Sequence, residues 1–120
     1  MKYMLLIYGN EELFESIPKD EFEQVIRDTD ALHAELLGTG EFIGAYGVAD
    51  QAQAKTVRLQ DGVPAVTDGP YIEAKEYLAS FDVIDCDSLE RALEIAARVP
   101  FARVGSVEVR PLMSEAAPEE

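Results

Sequence analysis

The chain has 120 residues, of which 48% are apolar, and it carries 24 acidic against 10 basic residues, a net charge of −14. This length predicts one globular domain with a hydrophobic core, and the negative charge repels phosphate backbones and anionic membranes, so we expect neither nucleic acid nor a membrane as a partner. The longest apolar run, Tyr3–Tyr8, is too short to cross a bilayer, and the first residues lack a signal-peptide pattern, which predicts a cytoplasmic protein.

The first third of the chain predicts a strand followed by a long helix. Lys2–Tyr8 is almost uninterrupted Met, Leu and Ile, which is typical of a strand covered on both faces. Gly9-Asn10 ends this strand, and Glu11–Ile17 is expected to be an irregular acidic link. Pro18 opens a helix to about Leu37, because proline suits the first helical turn. One stripe at helical spacing is expected to face the core: Phe22, Val25, Ile26, Thr29, Leu32 and Leu36.

The middle of the chain predicts a strand and then a hairpin. Phe42–Ala49 is predicted to be the second strand. Lys55–Gln60 and Val63–Thr67 flank Asp61-Gly62, a dipeptide favoured in two-residue hairpin turns. Asp68–Glu76 follows, where Asp-Gly and Gly-Pro indicate a tight bend, because glycine adopts positive φ and proline fixes the exit angle.

The last third predicts a strand, a helix and a final strand. Tyr77–Asp85 is mostly apolar and is predicted to be a strand. Asp87, with Glu90 three residues later, is expected to cap a helix that Pro100 ends. Val104–Leu112 alternates as a strand does. The residues that this second helix is expected to bury are Leu89, Ala92, Leu93 and Ala96.

This order of elements predicts an α+β fold of the ferredoxin-like β-α-β-β-α-β pattern with an extra hairpin. We assign the domain to residues 1–113 and expect 114–120 to be an acidic flexible tail. Two helices cover only one face of a four-stranded sheet, yet the first strand and much of Tyr77–Ile84 are apolar on both faces. We therefore expect a homodimer with sheets packed face to face, rather than a monomer closed by its own loops.

The segment Asp68–Glu76 places an aromatic ring and four charged side chains beside the bend. If the segment is extended, Tyr71, Glu73 and Lys75 share one face and present a carboxylate and an ammonium together. Such a pair suits a small polar ligand. The alternative is a solvated edge strand with a weak surface ion pair. The spacing leaves both interpretations open.

Few residues are suited to acid–base, nucleophilic or metal chemistry. His33 is the single histidine and falls inside the helix stripe, where it either points at the sheet's edge or is a structural residue. Cys86 is the single cysteine and is expected to be a small buried residue, since it has no disulfide partner. No second His or Cys stands at ligand spacing and no glycine-rich phosphate loop is present, so we expect neither a metal nor a cofactor.

Three charged residues on predicted strands have two interpretations each. Asp82, if buried, would need a cationic partner because an unpaired buried charge is costly, and if exposed it would need none. The candidate partners are Arg58, Arg103 and Arg110. Glu108 and Arg110 are either an ion pair inside a dimer cavity or part of an exposed strand face.

Three stretches resemble the YCII-related, or DGPF-domain, family: MKYMLLIY at 1–8, TDGPYIEAKE at 67–76 and PFARVGSVEVRP at 100–111. The resemblance covers residues 1 to about 113. It implies a dimeric α+β barrel of ferredoxin-like subunits with a small-molecule cleft at the dimer. It implies less about function, because most members have no established activity. Relatives of YciI have been proposed to use a His–Asp pair in a cleft, and one related protein is a dechlorinating lyase.

The resemblance carries the family's motif onto particular positions. Those that match its aspartate and its Glu-x-Lys-Glu are Asp68, Glu73, Lys75 and Glu76. His33 stands on the first helix, where a histidine is common in the family. Tyr71 replaces the usual phenylalanine and adds a hydroxyl. Asp82 follows Phe81 where the family tends to be aromatic or apolar, so this part of the pocket is expected to be more polar.

Three functions are compatible with these residues. In a lyase or isomerase, Asp68 or His33 is the catalytic general base. The residues expected to bind a small anionic or aromatic substrate are Tyr71, Glu73, Lys75, Arg58 and Arg103. One alternative is a ligand-binding or regulatory protein associated with an extracytoplasmic-function sigma factor, as DGPF-type proteins often are. The other is a structural role, in which Asp68 caps the corner.

Overall fold

The computed structural model describes residues 1–116 and has a mixed α+β architecture. Its strands are β1 (Lys2–Gly9), β2 (Phe42–Gly47), β3 (Lys55–Gln60), β4 (Val63–Asp68), β5 (Tyr77–Asp85) and β6 (Ser106–Pro111). Its helices are α1 (Glu11–Glu15), α2 (Lys19–Thr39) and α3 (Leu89–Arg98), and 3₁₀ turns cover Gln51–Gln53 and Pro100–Arg103. Of the predicted tail, 114–116 have no regular secondary structure and 117–120 lie outside the described residues. None of the helices within 1–116 combines the length and apolarity needed to span a bilayer.

Four strands form an antiparallel sheet in the order β2-β5-β1-β6. Alternation along β1 sends Tyr3, Leu5 and Ile7 to the face that α2 and α3 cover. The buried cluster on that face is Tyr3, Leu5, Ile7, Leu32, Leu36, Ile84, Cys86, Ala92, Ile95, Ala96 and Val99. The predicted burial of Cys86 is thereby confirmed. The strand order is compatible with the ferredoxin-like arrangement.

The opposite face of the sheet also carries apolar side chains. Leu6 and Phe81 lie opposite one another in the β1–β5 register, and Tyr46 of β2 stacks on Phe81 with ring centroids 5.2 Å apart. Tyr46 is 54% exposed. β1 therefore presents apolar side chains to both faces, as its sequence predicts. We call the following set the open face: Met4, Leu6, Tyr8, Tyr46, Phe81 and Val83.

Glu108 and Arg110 lie along the β6 margin of this open face. In the β1–β6 register they stand opposite Leu6 and Met4, and both are exposed. The Tyr8 hydroxyl donates a hydrogen bond to Glu108 Oε1 at 3.3 Å. In the single chain these two charges thus belong to an exposed strand face.

α2 is the longest helix of the described residues and packs on the sheet. Val25, Leu32 and Leu36 are buried, whereas Phe22 and Ile26 remain 40% and 42% exposed. The prediction that this stripe faces the core is therefore wrong at Phe22 and Ile26, near the N-terminal end of the helix. The reason is that Phe22 faces a cleft rather than the sheet.

The segment after β1 is helical, and the prediction of an irregular link there is wrong. Asn10 has extended backbone angles, and its side chain accepts a hydrogen bond from the Leu13 N–H at 2.7 Å. Glu11 and Glu12 follow in the first turn, where carboxylates are favoured by the helix dipole. This short helix, α1, ends at Glu15.

α3 differs from its prediction in its cap and in its buried face. Ser88, not Asp87, is the N-cap, because its hydroxyl accepts a hydrogen bond from the Arg91 N–H at 3.1 Å. The helix buries Ala92, Ile95 and Ala96, while Leu89 and Leu93, which were expected in the core, are 47% and 50% exposed.

An ion pair ties α3 to the start of β2. The Arg91 guanidinium donates two hydrogen bonds of 2.8 Å to the Glu41 carboxylate. These bonds lower the pKa of Glu41 to about 2. The pair thus fixes the position of α3 against the segment that leads into β2.

Within residues 1–116, β3 and β4 pair only with each other and form a two-stranded sheet. Asp61 and Gly62 both have positive φ at the turn, 51° and 79°, as a two-residue hairpin requires. The prediction of this hairpin is confirmed. One of its faces is apolar and exposed, with Val57, Leu59 and Val66 each at least 60% exposed. The residues between β4 and β5 form turns and bends rather than an extended strand.

Candidate functional site

A cleft lies on the helix side of the sheet, beside α1, α2 and the turn at Pro100–Arg103. It consists of an inner cavity of about 200 Å³, a middle cavity of about 300 Å³ and an outer cavity of about 660 Å³. The residues common to the inner and middle cavities are Ile7, Ser80 and Phe101. Those common to the middle and outer cavities are Phe14, Phe22 and Ala79. The shared lining residues show that the three cavities adjoin one another, and we call them together the cleft.

The inner cavity brings together His33 of α2 and Asp82 of β5. His33 Nε2 lies 4.0 Å from Asp82 Oδ2. Asp82 faces the helices because it is the register partner of Leu5, which is buried in the core. The His33 ring packs on Phe42, with centroids 4.6 Å apart. His33 therefore points toward the sheet from within the helix stripe.

Asp82 is a buried charge, only 8% exposed. Burial raises the pKa of its carboxyl, and the positive charge that His33 can carry opposes part of this rise. No hydrogen bond to the carboxylate is present within residues 1–116, so its oxygens are open to the cavity. The prediction of an arginine partner for a buried Asp82 is wrong, since α2 places His33 at that position.

Three phenylalanines form the walls of the middle cavity. The rings of Phe14 and Phe22 meet Phe101 edge to face, with centroids 6.0 Å and 6.4 Å away. Gly9 makes room for Phe14, because a Cβ at position 9 would lie 2.4 Å from Phe14 Cζ. A β-bulge in β5 leaves Ala79 without a register partner in β1, and Ala79 lines the cleft.

The outer cavity has an acidic rim. Glu11, Glu15 and Asp50 line it, and Lys19 is the basic side chain among its described lining residues. A hydrogen bond with Glu15 and the charges of Glu15 and Asp50 raise the pKa of Glu11. The Tyr77 hydroxyl donates to Asp50 Oδ2 at 3.3 Å. In the part of the chain described, no three His, Cys, Asp or Glu side chains are placed to hold a metal ion.

The Asp-Gly-Pro corner lies at the end of the hairpin. The Asp68 side chain is 86% exposed and forms an ion pair with Lys55. The Gly69 N–H donates to the Ala54 carbonyl at 2.8 Å, and the Thr56 hydroxyl donates to the Gly69 carbonyl at 2.8 Å. Gly69 has φ +94°, which favours glycine. The hydrogen bonds of the corner thus involve its backbone, the Thr56 hydroxyl and the exposed Asp68–Lys55 pair.

Both arginines that were predicted to bind the substrate, Arg58 and Arg103, interact with residues outside the cleft. The Arg58 guanidinium lies 5.7 Å from the centre of the Tyr71 ring, a cation–π distance. Arg103 Nη1 donates to Asp28 Oδ2 at 3.0 Å. Neither arginine lines the inner, middle or outer cavity.

The other motif residues line a neighbouring depression. Glu73 and Lys75 border a cavity of about 570 Å³ that meets the outer cavity at Asp50. Of the seven residues predicted for the site, His33 is the one that lines the cleft. The structure thus brings Glu73 and Lys75 together beside the cleft and does not bring Asp68 into it.

Sequence reasoning missed most of the residues that form the cleft. Asp82 was conspicuous as a charge on an apolar strand, but nothing in the sequence pairs it with His33. Phe14 lies on α1, which was expected to be irregular, and Phe101 lies in the turn after α3. The signal available for α1 was the capping residue Asn10 followed by two glutamates.

Comparison with known proteins gives two matches along nearly the whole chain. A sequence model of the YCII-related domain matches residues 1–116. An uncharacterized protein of Rhizobium meliloti (strain 1021) is 37% identical over 114 residues, which is 93% of this chain and 92% of that protein. The chain therefore belongs to the YCII-related domain family.

Proposed function

We propose that this protein is an enzyme that moves a proton on a small molecule held in the cleft, with Asp82 and His33 as its acid–base pair. The observation that supports this proposal is the 4.0 Å separation of the two side chains within one cavity. A buried carboxylate whose pKa is raised, next to an imidazole, is suited to proton transfer near neutral pH.

The different exposure of the two groups assigns their roles. The Asp82 side chain is 12% exposed and lies deeper, so it takes the proton from the substrate. The His33 side chain is 23% exposed, so it exchanges protons with solvent. Their separation exceeds hydrogen-bond distance, and a polar substrate atom can approach both groups at about 2.8 Å. Ser80 also lines this cavity and offers a hydroxyl to a substrate oxygen.

The reaction class that fits these groups is proton abstraction next to a carbonyl, as in isomerases and lyases. The pair supplies a base and an acid, and Phe42 and Phe101 place aromatic rings beside them. Because burial raises the pKa of Asp82, its carboxylate is a stronger base than an exposed aspartate.

Deuterium exchange tests this function without knowledge of the substrate. Lactones and aryl ketones are incubated with the protein in D₂O, and proton NMR follows loss of the hydrogen next to the carbonyl. We expect catalysed exchange that falls by about 10²–10⁴-fold in Asp82→Asn and in His33→Gln. The matched control is Asp28→Asn, which changes a partly exposed carboxylate that pairs with Arg103 outside the cleft. Exchange that survives both cleft substitutions would refute the proposal.

Ligand binding without turnover, in a regulatory protein associated with a sigma factor, is the second candidate. The exposed apolar face of the hairpin favours it, because Val57, Leu59 and Val66 offer a surface for another protein. This candidate predicts ligand binding in the cleft without exchange. It also predicts that Val57→Lys weakens capture of the sigma factor while leaving ligand affinity unchanged.

We further propose that the working form is a homodimer in which two open faces pack together, as in a dimeric α+β barrel. The open face is apolar and aromatic, and Tyr46 at its edge is 54% exposed. A standard interface needs about 800 Å² from each partner, an area that one face of a four-stranded sheet can supply. In a two-fold dimer, the apolar open face of each copy packs against the open face of the other.

Light scattering on size-exclusion fractions tests the dimer. We expect the wild-type protein to have twice the mass of the chain and Phe81→Glu to be monomeric, because a charge would be buried in the interface. Leu37→Glu is the matched control, since Leu37 is 64% exposed on α2. A wild-type monomer, or a Phe81→Glu dimer, would contradict this arrangement.

A further inference from the structure

The charges around the cleft are nearly all negative. Glu11, Glu15 and Asp50 line the outer cavity, and Asp82 lies at the inner end. The basic side chains among the described lining residues are Lys19 and His33. Such a cleft concentrates cations from solution and repels anions.

The rim carboxylates are close enough to affect one another. A hydrogen bond with Glu15 and the negative charges of Glu15 and Asp50, which repel its carboxylate, raise the pKa of Glu11. Asp50 is held in place, since its Oδ1 accepts from the Ala52 N–H at 2.8 Å and its Oδ2 accepts from the Tyr77 hydroxyl. A positive charge between these carboxylates would relieve the repulsion. In the described residues they are not arranged as a metal site, which favours an organic cation.

The interior between the two ends is aromatic. Phe14, Phe22 and Phe101 present their rings to the middle cavity. Aromatic rings accept flat apolar groups and also attract cations through their faces. The buried Asp82 carboxylate, 8% exposed and without a hydrogen bond in residues 1–116, lines the adjoining inner cavity, which shares Ile7, Ser80 and Phe101 with the middle cavity. This carboxylate is a second observation, independent of the rim, that the cleft is suited to a ligand with a polar group.

We infer that the cleft takes a small aromatic amine, with its ammonium group at the rim formed by Glu11, Glu15 and Asp50 and its ring against Phe14, Phe22 and Phe101. The far end of such a molecule reaches toward Asp82 and His33. This inference rests on the proposed function and names its substrate class: an aromatic compound that carries both an ammonium group and the carbonyl at which the proton moves.

Three probes that share one ring and differ in charge test the inference. They are phenethylamine, phenethyl alcohol and hydrocinnamate, and chemical-shift titration of the protein reads their affinities. In the wild-type protein we expect phenethylamine to bind at least about tenfold more tightly than hydrocinnamate (about 1.4 kcal/mol). High salt should reduce this preference, because the Debye length falls to about 3 Å at 1 M.

A rim variant and a charge-matched control locate the effect. In Glu11→Gln/Glu15→Gln/Asp50→Asn the preference should fall to within about twofold, and the Asn at position 50 still caps the Ala52 N–H. The control Asp61→Asn/Asp87→Asn/Glu90→Gln removes the same charge at exposed positions that do not line the three cavities. It should keep the wild-type preference.

Every outcome of these titrations either supports the inference or overturns it. Equal or tighter binding of hydrocinnamate, a preference that survives in the rim variant, or no binding of any probe would overturn the inference. His33→Gln separates it from the proposed function, because that variant should lose deuterium exchange and keep the preference for the amine. A preference for the amine without any exchange would sink the proton-transfer function alone.

Discussion

The packing of Phe14 against Gly9 gives a sharp test of how the cleft is formed. Gly9 ends β1, and a methyl group at this position would lie 2.4 Å from Cζ and 3.0 Å from Cε1 of Phe14. The nearer contact is about 1 Å shorter than ordinary van der Waals contact. In Gly9→Ala the Phe14 ring must therefore move, and its edge-to-face contact with Phe101 at 6.0 Å must change with it.

The expected cost is that of adding a methyl group to a packed site. Such overpacking destabilises proteins by about 1–3 kcal/mol. For a domain of this length each kcal/mol lowers the melting temperature by roughly 4 °C. We therefore expect Gly9→Ala to melt roughly 4–12 °C below the wild-type protein. We also expect altered affinity for phenethyl alcohol, because Phe14 lines both the middle and the outer cavities.

Thermal unfolding by circular dichroism and NMR titration with phenethyl alcohol measure the two effects. Gly38→Ala is the control: Gly38 lies in α2 with no atom near its would-be Cβ, so alanine there should stabilise by up to about 1 kcal/mol. In a Phe14→Ala background, Gly9→Ala should lose most of its cost, because the partner ring is gone. An unchanged melting temperature and an unchanged titration in Gly9→Ala would refute this packing.

Three further predictions concern titrating groups. Burial raises the pKa of Asp82, so its ionised form destabilises the folded state. Asp82→Asn should therefore raise the urea midpoint of unfolding at neutral pH, and this gain should vanish in acid, where Asp82 is protonated. A lower midpoint at neutral pH would contradict this prediction. Arg91 lowers the pKa of Glu41 from 4.5 to about 2, so the pair stabilises the fold above pH 4.5 and this stabilisation is lost as the pH falls toward about 2. In Glu41→Gln the melting temperature should therefore change less with pH over this range. Burial also raises the pKa of the Cys86 thiol, so iodoacetamide should label Cys86 slowly in the native protein and quickly in urea. Mass spectrometry measures the two labelling rates, and equal rates would contradict the burial of Cys86.

Most elements of the fold follow from local sequence patterns, whereas the buried face of α3 depends on packing. β1 was identified by its apolar run, and the hairpin by Asp61-Gly62, because both signals lie within a few residues. The buried face of α3 was predicted correctly at Ala92 and Ala96 and wrongly at Leu89 and Leu93, since those leucines repeat at helical spacing just as Ala92, Ile95 and Ala96 do. Packing against β1 and β5, which no local pattern reveals, decides between the two phases.

The site was harder to predict because its parts are distant in sequence. His33 and Asp82 meet through the register that pairs Asp82 with Leu5 and through the angle at which α2 crosses the sheet. Neither quantity can be derived from residue spacing. The Asp68 motif is conspicuous in the sequence because glycine and proline are needed at a corner with φ +94° at Gly69. Its visibility reflects backbone geometry rather than proximity to the cleft.

The hairpin of β3 and β4 is paired only within itself, and this makes it an exchangeable part of the molecule. Its two ends leave and re-enter the domain beside the 3₁₀ turn at Gln51–Gln53 and before β5. A hairpin with a different exposed face could be grafted between these points without altering the strands and helices that hold His33 and Asp82. A relative with the same cleft residues can therefore present a different surface at the hairpin, and so act in a different setting.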